Sequence, residues 1–205
     1  MEQVYCSKHA HFLAPVDAPD HRKYAPSRII DILHVQLNVT PDFKRRTVHG
    51  STTIRFKPIA KAIDQLRLDA VGLDFSGITS SAEIDSWHVS EDAVIIDFKS
   101  PLPAESEHTV VMNHAAEPEK GMYFRTPEMG YQEGELHLFT QGEPVEARHW
   151  FPCFDAPNEK FTSEITCHVP SSMVVLSNGR LVSLENDSET GLTSFTWLQD
   201  TPHVN

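Results

Sequence analysis

Ile29-Ile30-Asp31-Ile32-Leu33-His34-Val35-Gln36-Leu37-Asn38-Val39 and Val48-His49-Gly50-Ser51-Thr52-Thr53-Ile54-Arg55-Phe56 are the two runs on which the fold turns. In the first, Ile30, Ile32, His34, Gln36 and Asn38 interleave with Ile29, Leu33, Val35, Leu37 and Val39. In the second, Val48, Ser51, Thr53 and Arg55 stand against Thr52, Ile54 and Phe56. A period of two sends successive side chains to opposite faces of a pleated strand, which a helix cannot do. Thr40-Pro41-Asp42 closes the first run and Pro58 the second, and the link is rich in Asp42, Lys44, Arg45 and Arg46. The two runs therefore read as an antiparallel pair.

Outward from this pair the same grammar repeats. Gln65–Leu68, Gly72–Ile78, Glu83–His88, Ala93–Phe98 and His108–Ala115 are short and rich in β-branched and aromatic residues. So are Glu135–Phe139, Phe161–Val169, Val174–Ser177, Arg180–Glu185 and Thr193–Leu198. Such spacing, with no long helical periodicity, specifies an all-β sandwich or barrel rather than βαβ units. Residues 1–27, broken by Pro15, Pro19 and Pro26, read as an extended lead-in, and 28–205 as one β domain. Pro118–Gly134 reads as a hairpin or projecting loop feeding Glu135–Phe139. Thr201-Pro202-His203-Val204-Asn205 carries no closing signal, which reads as a boundary inside a longer protein.

Composition narrows the function. A chain of 205 residues with 40% apolar and 22% charged residues can bury a sizeable core. A net charge of −12 argues against a nucleic-acid surface; a solvated acidic surface accounts for it, and a site for a cation is compatible with it. Cys6, Cys153 and Cys167 form neither a metal spacing nor an even disulfide framework, so free thiols in a reducing compartment are expected. Between Pro152 and Phe154, Cys153 reads as buried and inert. The N-terminus has no apolar signal region and no window has the length of a membrane span, so a cytoplasmic location is expected.

One segment departs from the strand pattern. Phe139 to Pro157 packs Gln, two Glu, Arg, His, Trp, three Pro, Cys and Asp between strand-like runs. Charges are costly to bury and loops costly to order, so this is the candidate functional edge. Gln141 and Glu143 lie two apart, which in extended backbone turns both side chains to one side. A carboxylate beside an amide oxygen can hold an ammonium group; a surface Glu beside a Gln is the other reading, and spacing alone favours it. The sequence has no G-x-S-x-G elbow, no paired carboxylates and no H-E-x-x-H, and its twelve histidines are scattered.

Thr140-Gln141-Gly142-Glu143-Pro144, Ala147-Arg148 and Phe151-Pro152-Cys153-Phe154-Asp155-x-Pro157-x-x-Lys160 resemble the N-terminal domain of M1-family zinc aminopeptidases. Tyr24-Ala25-Pro26-Ser27-Arg28, Lys120-Gly121-Met122-Tyr123 and Leu176-Ser177-Asn178-Gly179 extend the resemblance over nearly the whole chain. It implies a saddle-shaped, mostly antiparallel β domain packed on a thermolysin-like catalytic domain that would follow residue 205. It implies that Glu143 binds the α-ammonium of a peptide substrate and that Gln141 lines the same subsite. Arg148, Asp155 and Lys160 match family positions and are expected to hold the loop in shape. Gly142 and Ala156 depart from the family, which commonly has a bulky residue and a Glu there, so side-chain preference stays open.

The resemblance implies zinc in the following domain and none bound by these residues, which alone would neither hold it nor cleave peptides. The expected partners are the peptide N-terminus and that catalytic domain, with no nucleic acid and no membrane, in a monomer. Two other readings stand beside the aminopeptidase: a non-catalytic scaffold, as in a transcription-initiation complex subunit resembling these peptidases, and a free-standing carbohydrate or peptide module. Glu143 and Gln141 argue for the enzyme.

Overall fold

The computed structural model describes residues 28–205, so the lead-in over 1–27, with Cys6 and the His9-Ala10-His11 pair, lies outside the described residues. Twelve strands follow: β1 (Ile30–Asp42), β2 (Thr47–Pro58), β3 (Ile63–Asp69), β4 (Leu73–Ser80), β5 (Ile84–Val89) and β6 (Ala93–Leu102). Then come β7 (His108–Ala116), β8 (Met122–Arg125), β9 (His137–Thr140), β10 (Phe161–Pro170), β11 (Arg180–Asp187) and β12 (Leu192–His203). Helix is confined, among the described residues, to three short 3-10 turns.

Seven strands form one sheet in the order β11-β12-β10-β1-β2-β7-β4; β3-β6-β5 form a second and β8-β9 a third. Every pairing of named strands is antiparallel except β1 with β10, which run parallel from His34↔Thr162 to Val39↔Cys167. The expected all-β, mostly antiparallel fold is what the structure shows. β1 and β2 are the antiparallel pair read from the sequence, and their turn is held by Asp42, whose carboxylate accepts the Lys44 and Arg45 N–H groups at 2.9 Å.

The faces are less simple than one alternation. Ile30 and Ile32 are buried, but so are Val35, Leu37 and Val39, at the opposite parity. A bulge between Ile32 and His34 inserts Leu33 as an extra residue and flips the strand, so β1 keeps its apolar side inward along its length. These side chains meet Val48, Ile54 and Phe56 of β2, Val110 and Met112 of β7, and Leu66, Leu68, Val94 and Ile96 of the second sheet in one shared core. Burial of that apolar surface is the main force holding the two sheets together.

Two assignments are corrected. Val174–Ser177 is not a strand: after β10 the chain turns at Ser171, and residues 173–177 pair with no ladder, leaving Val174 and Leu176 75% and 82% exposed. The Trp197 indole N–H donates to the Val175 carbonyl at 3.1 Å and pins the segment, whose period-two pattern is stretched coil. Conversely, β12 runs five residues past Leu198 to His203, because Phe161 at the start of β10 offers His203 a partner across a bulge.

Candidate functional site

The loaded segment is carried by the small β8–β9 sheet and braced from below. Tyr123 stacks on Phe139 with centroids 5.2 Å apart, and the Gln141 N–H donates to the Gly121 carbonyl at 2.9 Å, continuing the ladder one residue past β9. Gly121 sits at φ 73°, and a Cβ there would lie 2.0 Å from the Glu146 carbonyl oxygen. Only glycine lets the returning loop cross so close, which accounts for the Lys120-Gly121 pair in the sequence. The loop then tightens: the Glu146 N–H donates to the Gly142 carbonyl at 2.7 Å, the Glu143–Pro144 peptide is cis, and a 3-10 turn spans Ala147–His149.

Below the turn a charged cluster fastens the loop to the second sheet. The Arg148 Nε and backbone N–H both donate to Asp155 Oδ2, at 3.0 and 3.2 Å, and Arg148 Nη1 lies 3.4 Å from Asp69 Oδ1. Asp69 in turn accepts the Asp155 N–H at 2.9 Å, and its backbone exchanges two hydrogen bonds with Cys153. The Asn205 amide donates to Asp155 Oδ1 at 3.4 Å, and its backbone carbon lies 3.3 Å from where a Cβ on Gly142 would stand. Asp155 is buried; burial pushes its carboxyl above the usual range against the pull of Arg148 and Asn205. Trp150 and Phe151, edge to face at 4.4 Å, anchor the turn in the core.

A second clamp closes the opposite end. Arg28 reaches across to Glu159, which is wholly buried and also accepts the Ile32 N–H at 3.1 Å, so the start of β1 is tied to the segment entering β10. Asp69 and Glu159 had no signal in the sequence, since their partners lie far along the chain. Cys153 is buried and burial holds its thiol well above the ordinary value, while Cys167 is pushed up to about 12; both are free.

The site residues separate into two groups. Arg148 and Asp155 are brought together. Lys160 is exposed and forms no ion pair with any described residue. Glu146, 24% exposed, faces His149 at 3.3 Å and Lys120 at 3.7 Å. Gln141 and Glu143 are exposed, and neither side chain has a hydrogen-bond or ion-pair partner among the described residues. The loop thus offers one carboxylate and one amide to solvent while its other charges are engaged. Among the described residues no three His, Cys, Asp or Glu side chains gather where they could hold a metal ion. No helix among them is long and apolar enough to cross a membrane.

Comparison with known proteins bears on the family and the fold. Aminopeptidase 2, mitochondrial, of Saccharomyces cerevisiae is 30% identical over 171 residues, 77% of this chain and 17% of its own length. Aminopeptidase M1-A of rice (Oryza sativa subsp. japonica) is 34% identical over 144 residues, 67% of this chain and 16% of its own. Among solved structures, the M1 zinc metallopeptidase of Deinococcus radiodurans, as a variant bound to a Tyr-Ser-Ala substrate, superposes with a TM-score of 0.72 at 21% identity. It is covered over 41% of its length by 87% of this chain, and at that identity the likeness is one of fold. The chain therefore spans about a sixth of these two curated relatives. Residues 22–203 match the family profile described as the Peptidase M1 N-terminal domain, and to that family the chain belongs.

Proposed function

We infer that this chain is the substrate-amine-anchoring N-terminal domain of a zinc aminopeptidase that releases N-terminal residues from peptides. One observation carries the reading: Gln141 and Glu143 are exposed and unpartnered among the described residues, on a loop whose neighbouring charges are engaged. A peptide α-ammonium presents three N–H donors and a positive charge; Glu143 supplies the opposing charge and Gln141 Oε1 a further acceptor. An internal peptide segment has no such charge and would leave the carboxylate unpaired in a closed site, so this reading favours chain ends. Arg148 and Asp155 act at one remove by holding the loop; Lys160, expected to join them, is exposed and pairs with neither. Zinc, which activates water and polarises the scissile carbonyl in such enzymes, belongs in this reading to the catalytic domain of the same polypeptide.

That domain is the expected macromolecular partner. Support comes from the exposed Val174 and Leu176 and from a 420 Å3 apolar groove between β9 and residues 172–177. A cytoplasmic monomer acting on peptides, without nucleic acid or membrane, completes the proposal.

The test is kinetic, in the full-length polypeptide. Glu143→Ala should reduce kcat/KM by roughly a hundredfold or more, the loss of a charge-assisted contact of about 3 kcal/mol, while Glu146→Ala should cost far less. Equal, small effects of the two would sink the assignment and move the reading to the non-catalytic scaffold.

A further inference from the structure

Beside the amine anchor, at the end of β8, which pairs with β9, the fold builds a second polar feature that the aminopeptidase reading leaves unused. The Arg125 guanidinium carbon lies 5.3 Å from the centroid of Tyr131 and 5.3 Å from that of Phe139. Phe139 is itself stacked on Tyr123, and Tyr131 and Phe139 are both partly open to solvent. Two aromatic faces hold the guanidinium by cation–π attraction, which fixes its plane but occupies none of its N–H donors. Its one hydrogen bond among the described residues is a 3.4 Å contact from Nη1 to the neighbouring Phe124 carbonyl. Glu117 and Glu119 border the adjoining hollow, and neither forms an ion pair with Arg125. A half-buried cation with most of its fork of donors free is a receptor shape for a carboxylate.

Position links it to the anchor. Phe139 pairs with Tyr123 and the ladder continues to Gln141, so Phe139 and Gln141 lie on one face of the strand, about 7 Å apart. Arg125, paired with His137, lies over that same face with its guanidinium on Phe139, two residues along the strand from Gln141.

We propose that Arg125, clasped by Tyr131 and Phe139, sets the side-chain preference of the amine site, favouring an acidic residue at the amino end of the peptide over a basic one. The proposal rests on the amine-anchor reading and deepens it by naming the substrate class. Its physical basis is a fixed positive charge that attracts a carboxylate and repels a Lys or Arg side chain, partly shielded from water by two rings.

The experiment measures kcat/KM of the full-length polypeptide on matched fluorogenic amides of Glu, Leu and Lys, with Leu as the neutral reference. Arg125→Gln should lower the Glu/Leu ratio by roughly fivefold and raise the Lys/Leu ratio, as expected for losing one partly screened charge. Arg125→Lys should retain most of the wild-type ratio, and Glu143→Ala should depress all three substrates with their ratios unchanged. Unchanged ratios in Arg125→Gln, or an equal loss on all three amides, would overturn the proposal and leave Arg125 a strut of the hairpin. If Glu143→Ala has no effect while Arg125→Gln still shifts the ratios, the anchor falls and the side-chain subsite stands. A wild-type polypeptide that cleaves none of the three amides would overturn both.

Discussion

Arg148→Met tests whether the charged cluster holds the loop. In the native fold the guanidinium faces two carboxylates, Asp155 at 3.0 Å and Asp69 at 3.4 Å, and the Asp155 side chain is only 1% exposed. Methionine keeps much of the bulk and removes the charge, leaving a buried carboxylate beside another. Removing one partner of a buried pair costs about 3–5 kcal/mol, and the surviving Arg148 N–H and Asn205 amide place this case at the low end, about 3 kcal/mol. Urea denaturation of the chain at pH 7, followed by fluorescence of the buried Trp150 next to the substitution, reads that loss directly. The pH dependence has a definite sign. Burial already raises the Asp155 carboxyl, and losing Arg148 raises it further, so the folded variant takes up a proton more readily than the unfolded chain. Its deficit is therefore fully present above the raised folded value and is relieved as the pH falls toward the unfolded one. Asp155→Asn in the Arg148→Met background should recover most of the loss at pH 7. A single-variant deficit below about 1 kcal/mol, one that does not shrink on acidification, or no recovery in the double variant would refute the reasoning.

Two further outcomes follow from single positions. Gly121→Ala puts a Cβ 2.0 Å from the Glu146 carbonyl at a φ of 73°, so the loop must move; we expect a loss of about 2 kcal/mol or more by urea denaturation, against under about 0.5 kcal/mol for Gly134→Ala, where nothing lies within 4 Å. His114 is buried, with Nε2 2.8 Å from the Thr52 hydroxyl and Nδ1 unpartnered, and burial lowers its value to about 4. The unfolded chain then binds more protons between pH 6.5 and 4, so stability falls through that window by up to about 3 kcal/mol, and His114→Gln should flatten that part of the profile.

What was legible in the sequence was whatever rests on local pattern. The β1–β2 hairpin could be read because alternation and an Asp-containing turn are properties of neighbouring residues, and the loop at 139–157 because its composition breaks that alternation. The bulge at Leu33 escaped, since one extra residue leaves the hydrophobic pattern looking continuous while it reverses the faces. Val174–Ser177 misled for the opposite reason: its alternation is real, but a strand needs a partner, and the turn at Ser171 carries this segment off the ladder. Asp69 and Glu159 are ordinary acids in the sequence, and only the fold brings them to Arg148 and Arg28, from 79 and 131 residues away. The hairpin face that joins Arg125 to Phe139 and Tyr131 was hidden in the same way, because cross-strand pairing is not a sequence spacing.

The division of charge within the loop is itself an argument about function. Arg148 and Asp155 lie in a network whose burial is at best weakly stabilising, because desolvation offsets most of the attraction between the charges. What such a network supplies is geometry: a loop with two cross-braces to Asp69 and one glycine crossing at Gly121 has few alternative shapes. A surface loop needing only solubility could use exposed charges without any of these braces. Here the braces reach the pair through Asn205, which donates to Asp155 and lies against Gly142, between Gln141 and Glu143. Ordering the backbone before a ligand arrives lowers the entropy lost on binding, so the rigidity placed under this pair is what an ammonium anchor requires.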